Sequence, residues 1–166
     1  MINKSILEIC SIIILVFVMQ IFIPAFEFSG IPIVADINLV MLTYIGFYYG
    51  RFYSIILGFL IGFFQDIFTQ IELVGVMAFT KSAISFGLGT LKLYQNIWSY
   101  NSKLLFIFAI YNLHYFIFYF IKFNGLGVQS IVFFKIIILN SCISFIIFLI
   151  IDRFVFYKGI IQNAKI

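Results

Sequence analysis

Four ionisable side chains stand where the sequence is otherwise apolar. Asp36 and Asp66 are carboxylates among Ile, Leu and Phe, and Lys81 and Lys135 are ammonium groups in similar company. Opposite charges in such a setting can pair. Two carboxylates brought together can do general acid–base work of the glycosidase type. A histidine beside a carboxylate can carry a proton. His114 is the single histidine, but no carboxylate is expected at its depth, so it reads as a hydrogen-bonded structural residue. Other catalytic patterns are missing: the chain has no Walker motif, no HExxH, no Ser/His/Asp arrangement and no Cys/His metal cluster. Cys10 and Cys142 fall in apolar runs and read as small core residues. Nothing implies an aqueous cleft around the aspartates. Neither an enzyme nor a cofactor is expected.

The elements that must position these groups follow from composition. Of 166 residues, 64% are hydrophobic and 10% charged, with mean hydropathy +1.21. Soluble domains have about half apolar and a quarter charged residues. Only a bilayer accepts so much apolar surface, and spanning elements there are helices or a closed barrel. Barrel strands alternate apolar and polar residues, whereas runs such as SIIILVFVM are continuous. The expected fold is therefore all-α, a single polytopic bundle of six transmembrane helices. A span needs about 20 apolar residues, which places them at residues 6–23, 33–49, 52–69, 73–91, 104–121 and 130–151. The first apolar run is long for a signal peptide and has no small-x-small cleavage site, so it is expected to be retained.

Orientation follows from Lys and Arg, which favour cytoplasmic loops. With the N-terminus inside, Lys4, Arg51, Lys92, Lys103, Arg153, Lys158 and Lys165 fall at cytoplasmic ends and Lys122 at an outer end. That bias implies an inner-membrane protein with both termini in the cytoplasm. The acidic residues Glu27, Asp36, Asp66 and Glu72 gather at the outer face. They suit either a partner's contact surface or counter-ions for buried lysines. The positive charge is scattered, so nucleic acid is not expected as a partner. The polar stretch Tyr94–Lys103 carries Trp and Tyr suited to the headgroup region.

The third and fourth spans hold the densest pattern. Gly58, Gly62 and Asp66 are four residues apart and share one helix face. Small residues let helices approach closely in lipid, so Gly58 and Gly62 face either another helix of the bundle or another chain. Ala78, Ser82, Ser85 and Gly89 form a second small-residue stripe around Lys81. At 1.5 Å per residue, Lys81 lies about 12 Å deep, where an ammonium needs a partner. Asp66 is expected to be that partner, about 6 Å away along the axis, with Asp36 the other candidate. Loose pairing with Glu72 is the simpler alternative. Lys135 either snorkels or joins the same cluster, and Asn140 reads as interhelical glue.

From Ala35 to Leu93 the sequence resembles the rod shape-determining protein MreD family. The residues that carry the resemblance are Asp36-Ile37-Asn38-Leu39-Val40 opening the second span and the basic turn Gly50-Arg51. The G-x-x-x-G-x-x-x-D of Gly58, Gly62 and Asp66 follows, and then Leu73 with Gly75 to Ala78. Ala35 stands where the family has proline, and Lys81 is unusual for it. The resemblance implies a non-catalytic subunit of the bacterial cell-elongation machinery, similar in fold to substrate-binding subunits of energy-coupling-factor transporters. Its implied partners are an MreC-like bitopic protein, with MreB and peptidoglycan synthases in the wider complex. The Gly58–Gly62 face or the fourth-span stripe is expected to form part of the docking surface. The competing class is a substrate-binding membrane subunit of a vitamin-type transporter. Such subunits carry small residues on the first helix, whereas ILEICSIIILVFVMQIFI here is bulky.

Overall fold

The computed structural model describes residues 6–23, 26–28, 31–69, 74–124 and 129–154. The helices are α1 (Ile6–Ile21), α2 (Ile37–Tyr49), α3 (Arg51–Thr69), α4 (Val76–Leu88), α5 (Thr90–Leu93), α6 (Tyr100–Lys122) and α7 (Ser130–Phe154). Between α1 and α2 lies a short antiparallel pair, β1 (Phe26–Phe28) and β2 (Ile31–Ile33), with Phe26 opposite Ile33 and Phe28 opposite Ile31. Among the described residues, three helices are long and apolar enough to cross a bilayer: Arg51–Phe68 within α3, then α6 and α7. These three mark the chain as a membrane protein.

The remaining expected spans come out shorter, for local reasons. The second span was expected from residue 33, but its first residues are extended and the helix starts after Asp36. That side chain accepts the amide of Leu39 at 3.1 Å, which makes it the N-cap. With 13 residues, α2 is about 20 Å long. The fourth span was expected over 73–91. Its helix begins after Gly75, and residues 90–93 form the separate turn α5. The fifth gains a turn, because Ser99 caps α6 by accepting the amide of Ser102 at 3.3 Å. In the polar stretch before it, Tyr94 stacks on Trp98, and Lys103 donates to the carbonyl of Gln95 at 2.6 Å.

The bundle is arranged around α2. Every residue from Asn38 to Phe47 is buried, which is the mark of a helix enclosed on all sides. It packs against α1, α3, α4, α5 and α7, and Thr43 reaches Tyr111 of α6 at 2.9 Å. Gly50 ends it with φ +87° and donates to the carbonyl of Gly46 at 3.0 Å. An L side chain is strained in that conformation, and glycine lets the chain turn directly into α3.

The closest helix pair is α3 with α4. A Cβ added at Gly62 would lie 2.4 Å from the Met77 carbonyl oxygen and 2.6 Å from the Ala78 Cα. At Gly58 it would lie 2.4 Å from Ser85 Oγ and 2.8 Å from the Lys81 carbonyl oxygen. Of the two expected roles for Gly58 and Gly62, the structure shows packing inside the chain. Each lies flush against the backbone of α4, where a second chain has no room.

Candidate functional site

The site is built on three residues that are not helical. Residues 34–36 run extended between β2 and the start of α2. Extended backbone is tolerated at membrane depth only where protein satisfies its polar groups, and here side chains do so. The Val34 amide donates to Asn140 Oδ1 at 2.7 Å and its carbonyl accepts from Tyr115 at 3.3 Å. The Ala35 carbonyl accepts from Gln20 Nε2 at 2.9 Å, and Gln20 Oε1 accepts the Ile37 amide at 2.6 Å. The Asp36 amide donates to Ser144 at 3.4 Å, and Ser144 in turn bonds Tyr115 at 2.5 Å. One helix cap is thus clasped by α1, α6 and α7.

That clasp fixes the Asp36 carboxylate in the interior. Its Oδ1 is taken by the Leu39 amide. Its Oδ2 meets Lys81 Nζ at 2.5 Å and His114 Nε2 at 3.5 Å. Lys81 and His114 are 0% exposed and Asp36 is 3% exposed. A charge taken out of water survives only with a partner, and the two charges of the Asp36–Lys81 pair answer one another. The pair ties the start of α2 to the middle of α4, and His114 adds α6.

Asp66 does something else, which corrects the expected Asp66–Lys81 pair. Its oxygens accept the amides of Gly75 at 2.9 Å, Met77 at 3.0 Å and Ala78 at 3.0 Å. The first turn of a helix has amides without intrahelical partners, and a negative charge there also opposes the helix dipole. Asp66 serves the N-terminus of α4, and Asp36, the second candidate, is the partner of Lys81. Glu72 lies outside the described residues. Lys135 is exposed on α7 and, among the described residues, stands apart from the Asp36–Lys81–His114 cluster.

The small residues of α4 are divided among neighbours. Ala78 and Ser85 face Gly62 and Gly58 on α3. Gly89 lies against the start of the same helix, where a Cβ would come 2.4 Å from the Arg51 Cα. Ser82 turns back on its own helix and bonds the carbonyl of Ala78. The stripe is occupied within the chain.

The reading of His114 also changes, because a carboxylate does stand at its depth. Further members of the site lie on two helix faces at helical spacing. Tyr111, His114, Tyr115 and Tyr119 share the buried face of α6, and Asn140, Ser141 and Ser144 that of α7. Three-to-four-residue spacing of polar groups in apolar runs is the signal that finds them. At the other end of α2, Tyr44 donates to the buried Asp152 at 3.1 Å.

A search of family models, curated proteins and solved structures finds no match to this chain.

Proposed function

We propose that this chain is a six-span, non-catalytic inner-membrane subunit of the bacterial cell-elongation machinery, of the MreD kind. In this reading both termini are cytoplasmic. The observation that supports it is where the motif residues lie. Asp36, Gly50, Gly58, Gly62 and Asp66, scattered over the second and third spans, are all used in the joints that fix α2, α3 and α4 together. They serve the scaffold itself, as residues of a non-catalytic subunit would. The partner is a bitopic MreC-like protein whose spanning helix packs on the outside of the bundle. MreB and the peptidoglycan synthases complete the assembly.

One observation favours a second reading, a substrate-binding subunit of a vitamin-type transporter. Asn38 is fully buried and neither atom of its amide has a hydrogen-bond partner among the described residues. Buried polar groups are nearly always satisfied, and a small polar ligand would satisfy this one.

The test is affinity purification of the tagged chain from its native membranes in mild detergent, followed by mass spectrometry. A one-span periplasmic coiled-coil protein recovered with cell-wall synthases supports the elongation reading. Paired ATPases with a second polytopic subunit replace it with the transporter reading.

A further inference from the structure

His114 combines three features that the scaffold does not need. It is wholly buried on α6. Its Nε2 approaches Oδ2 of Asp36, the same oxygen that Lys81 holds. Neither ring nitrogen has a hydrogen-bond partner among the described residues, but Nε2 faces the Asp36 carboxylate at 3.5 Å and Nδ1 faces no charged group within ion-pair reach. In a neutral imidazole one nitrogen bears the proton and the other a lone pair. A carboxylate facing Nε2 selects the tautomer with its proton there. Nδ1 is then left as a basic lone pair inside the bundle.

We propose that Asp36 and His114 form a proton-binding site in the bundle interior, with hydronium as its ligand. The Nδ1 lone pair takes the proton, one O–H bond of hydronium breaks, and water leaves. His114 becomes an imidazolium and keeps its Nε2–H toward Asp36. Before uptake, Asp36 and Lys81 cancel one another. Afterwards the cluster carries one net positive charge, and two cations compete for one oxygen. Proton uptake on α6 therefore loosens the grip of α4 on the cap of α2.

The surrounding groups decide how strongly the proton is held. Asp36 on α2 favours uptake and Lys81 on α4 opposes it. Asp66 on α3 acts on Lys81 through its charge from farther away. Tyr111 and Tyr115 on α6 present neutral hydroxyls. The polar groups that α1 and α7 bring to this end of the bundle, Gln20, Asn140 and Ser144, are uncharged. This inference stands apart from the choice of partner, since it concerns groups inside the chain.

The single histidine makes the test direct. The full chain, labelled with ¹⁵N-histidine and placed in lipid nanodiscs, gives one imidazole signal by NMR. The expected result is the Nε2–H tautomer at high pH and conversion to imidazolium as the pH is lowered. Lys81→Met should raise the proton affinity about tenfold, one pH unit in the midpoint, and Asp36→Asn should lower it by at least as much. An imidazole neutral throughout, an Nδ1–H tautomer at high pH, or a midpoint unmoved by Lys81→Met overturns the proposal. If the variants fail to accumulate, the tautomer and titration of the unaltered chain decide it.

Discussion

Removing the charge of Asp36 is the sharpest perturbation of this fold. Asp36→Asn keeps a side-chain oxygen to accept the Leu39 amide, now 3.1 Å from Oδ1, so the cap of α2 survives. What goes is the countercharge of Lys81, which has no exposed surface. Taking away one partner of a buried pair costs about 3–5 kcal/mol, because the other charge stays buried. Asp36→Ala also loses the cap, about 1 kcal/mol more. Replacing both members by uncharged groups is often nearly neutral, so Lys81→Met added to Asp36→Asn should recover most of the loss. The assay heats detergent-solubilised protein and reads the monodisperse fraction that remains. The expected order of midpoints is the unaltered chain, then the double variant, then Asp36→Asn. The parallel cycle of Asp66→Asn with Lys81→Met should show a smaller coupling than the Asp36 cycle, since Asp66 shares no hydrogen bond with Lys81 and acts on it only through its charge. A double variant no more stable than Asp36→Asn, or a coupling through Asp66 larger than that through Asp36, would refute the assignment of the pair.

Three further outcomes follow from the packing and the helix caps. Gly62→Ala should lower the amount of protein in membranes more than Gly58→Ala, as read by immunoblot. The nearest atoms at Gly62 are all backbone of Met77 and Ala78, whereas the nearest at Gly58 is the Ser85 hydroxyl, which can rotate; overpacking of this kind costs about 1–3 kcal/mol. Asp66→Ala should cost about 1–2 kcal/mol in the same thermal assay by stripping the first turn of α4 of its acceptor, while Lys135→Gln, on an outward face, should stay within about 0.5 kcal/mol.

Much of the architecture can be read from the residues, and the exceptions have physical causes. The long helices α3, α6 and α7 follow from apolar run length. The stripe of Gly58 and Gly62 follows from four-residue spacing, and the membership of Asp36 and Lys81 in one cluster follows from depth. The choice between Asp36 and Asp66 does not follow from depth, because axial position says nothing about competing donors. Three unpaired amides at the start of α4 claim Asp66 first. Hydropathy cannot mark the extended residues 34–35 either, since Val and Ala are as apolar there as in a helix. Asp36 with an amide acceptor role three residues on was a readable cap signal. For Lys135 the neighbours in sequence are apolar whether the helix face looks inward or outward, so only tertiary packing separates those cases. The same holds for the carboxylate beside His114, which comes from a segment 78 positions away in the chain.

The enclosure of α2 has a consequence for biogenesis. Its cap and the residues just before it are hydrogen-bonded to Gln20, Tyr115, Asn140 and Ser144, and farther along Tyr44 donates to Asp152. Those partners are synthesised from well before α2 to long after it. While the ribosome is still making α7, the second span sits in the membrane with open donors and a half-built cap. It must wait in the shelter of the insertion machinery or of its early neighbours. A chain truncated before Asn140 would then be recognised by membrane proteases as unfinished, although every helix up to α6 is already present.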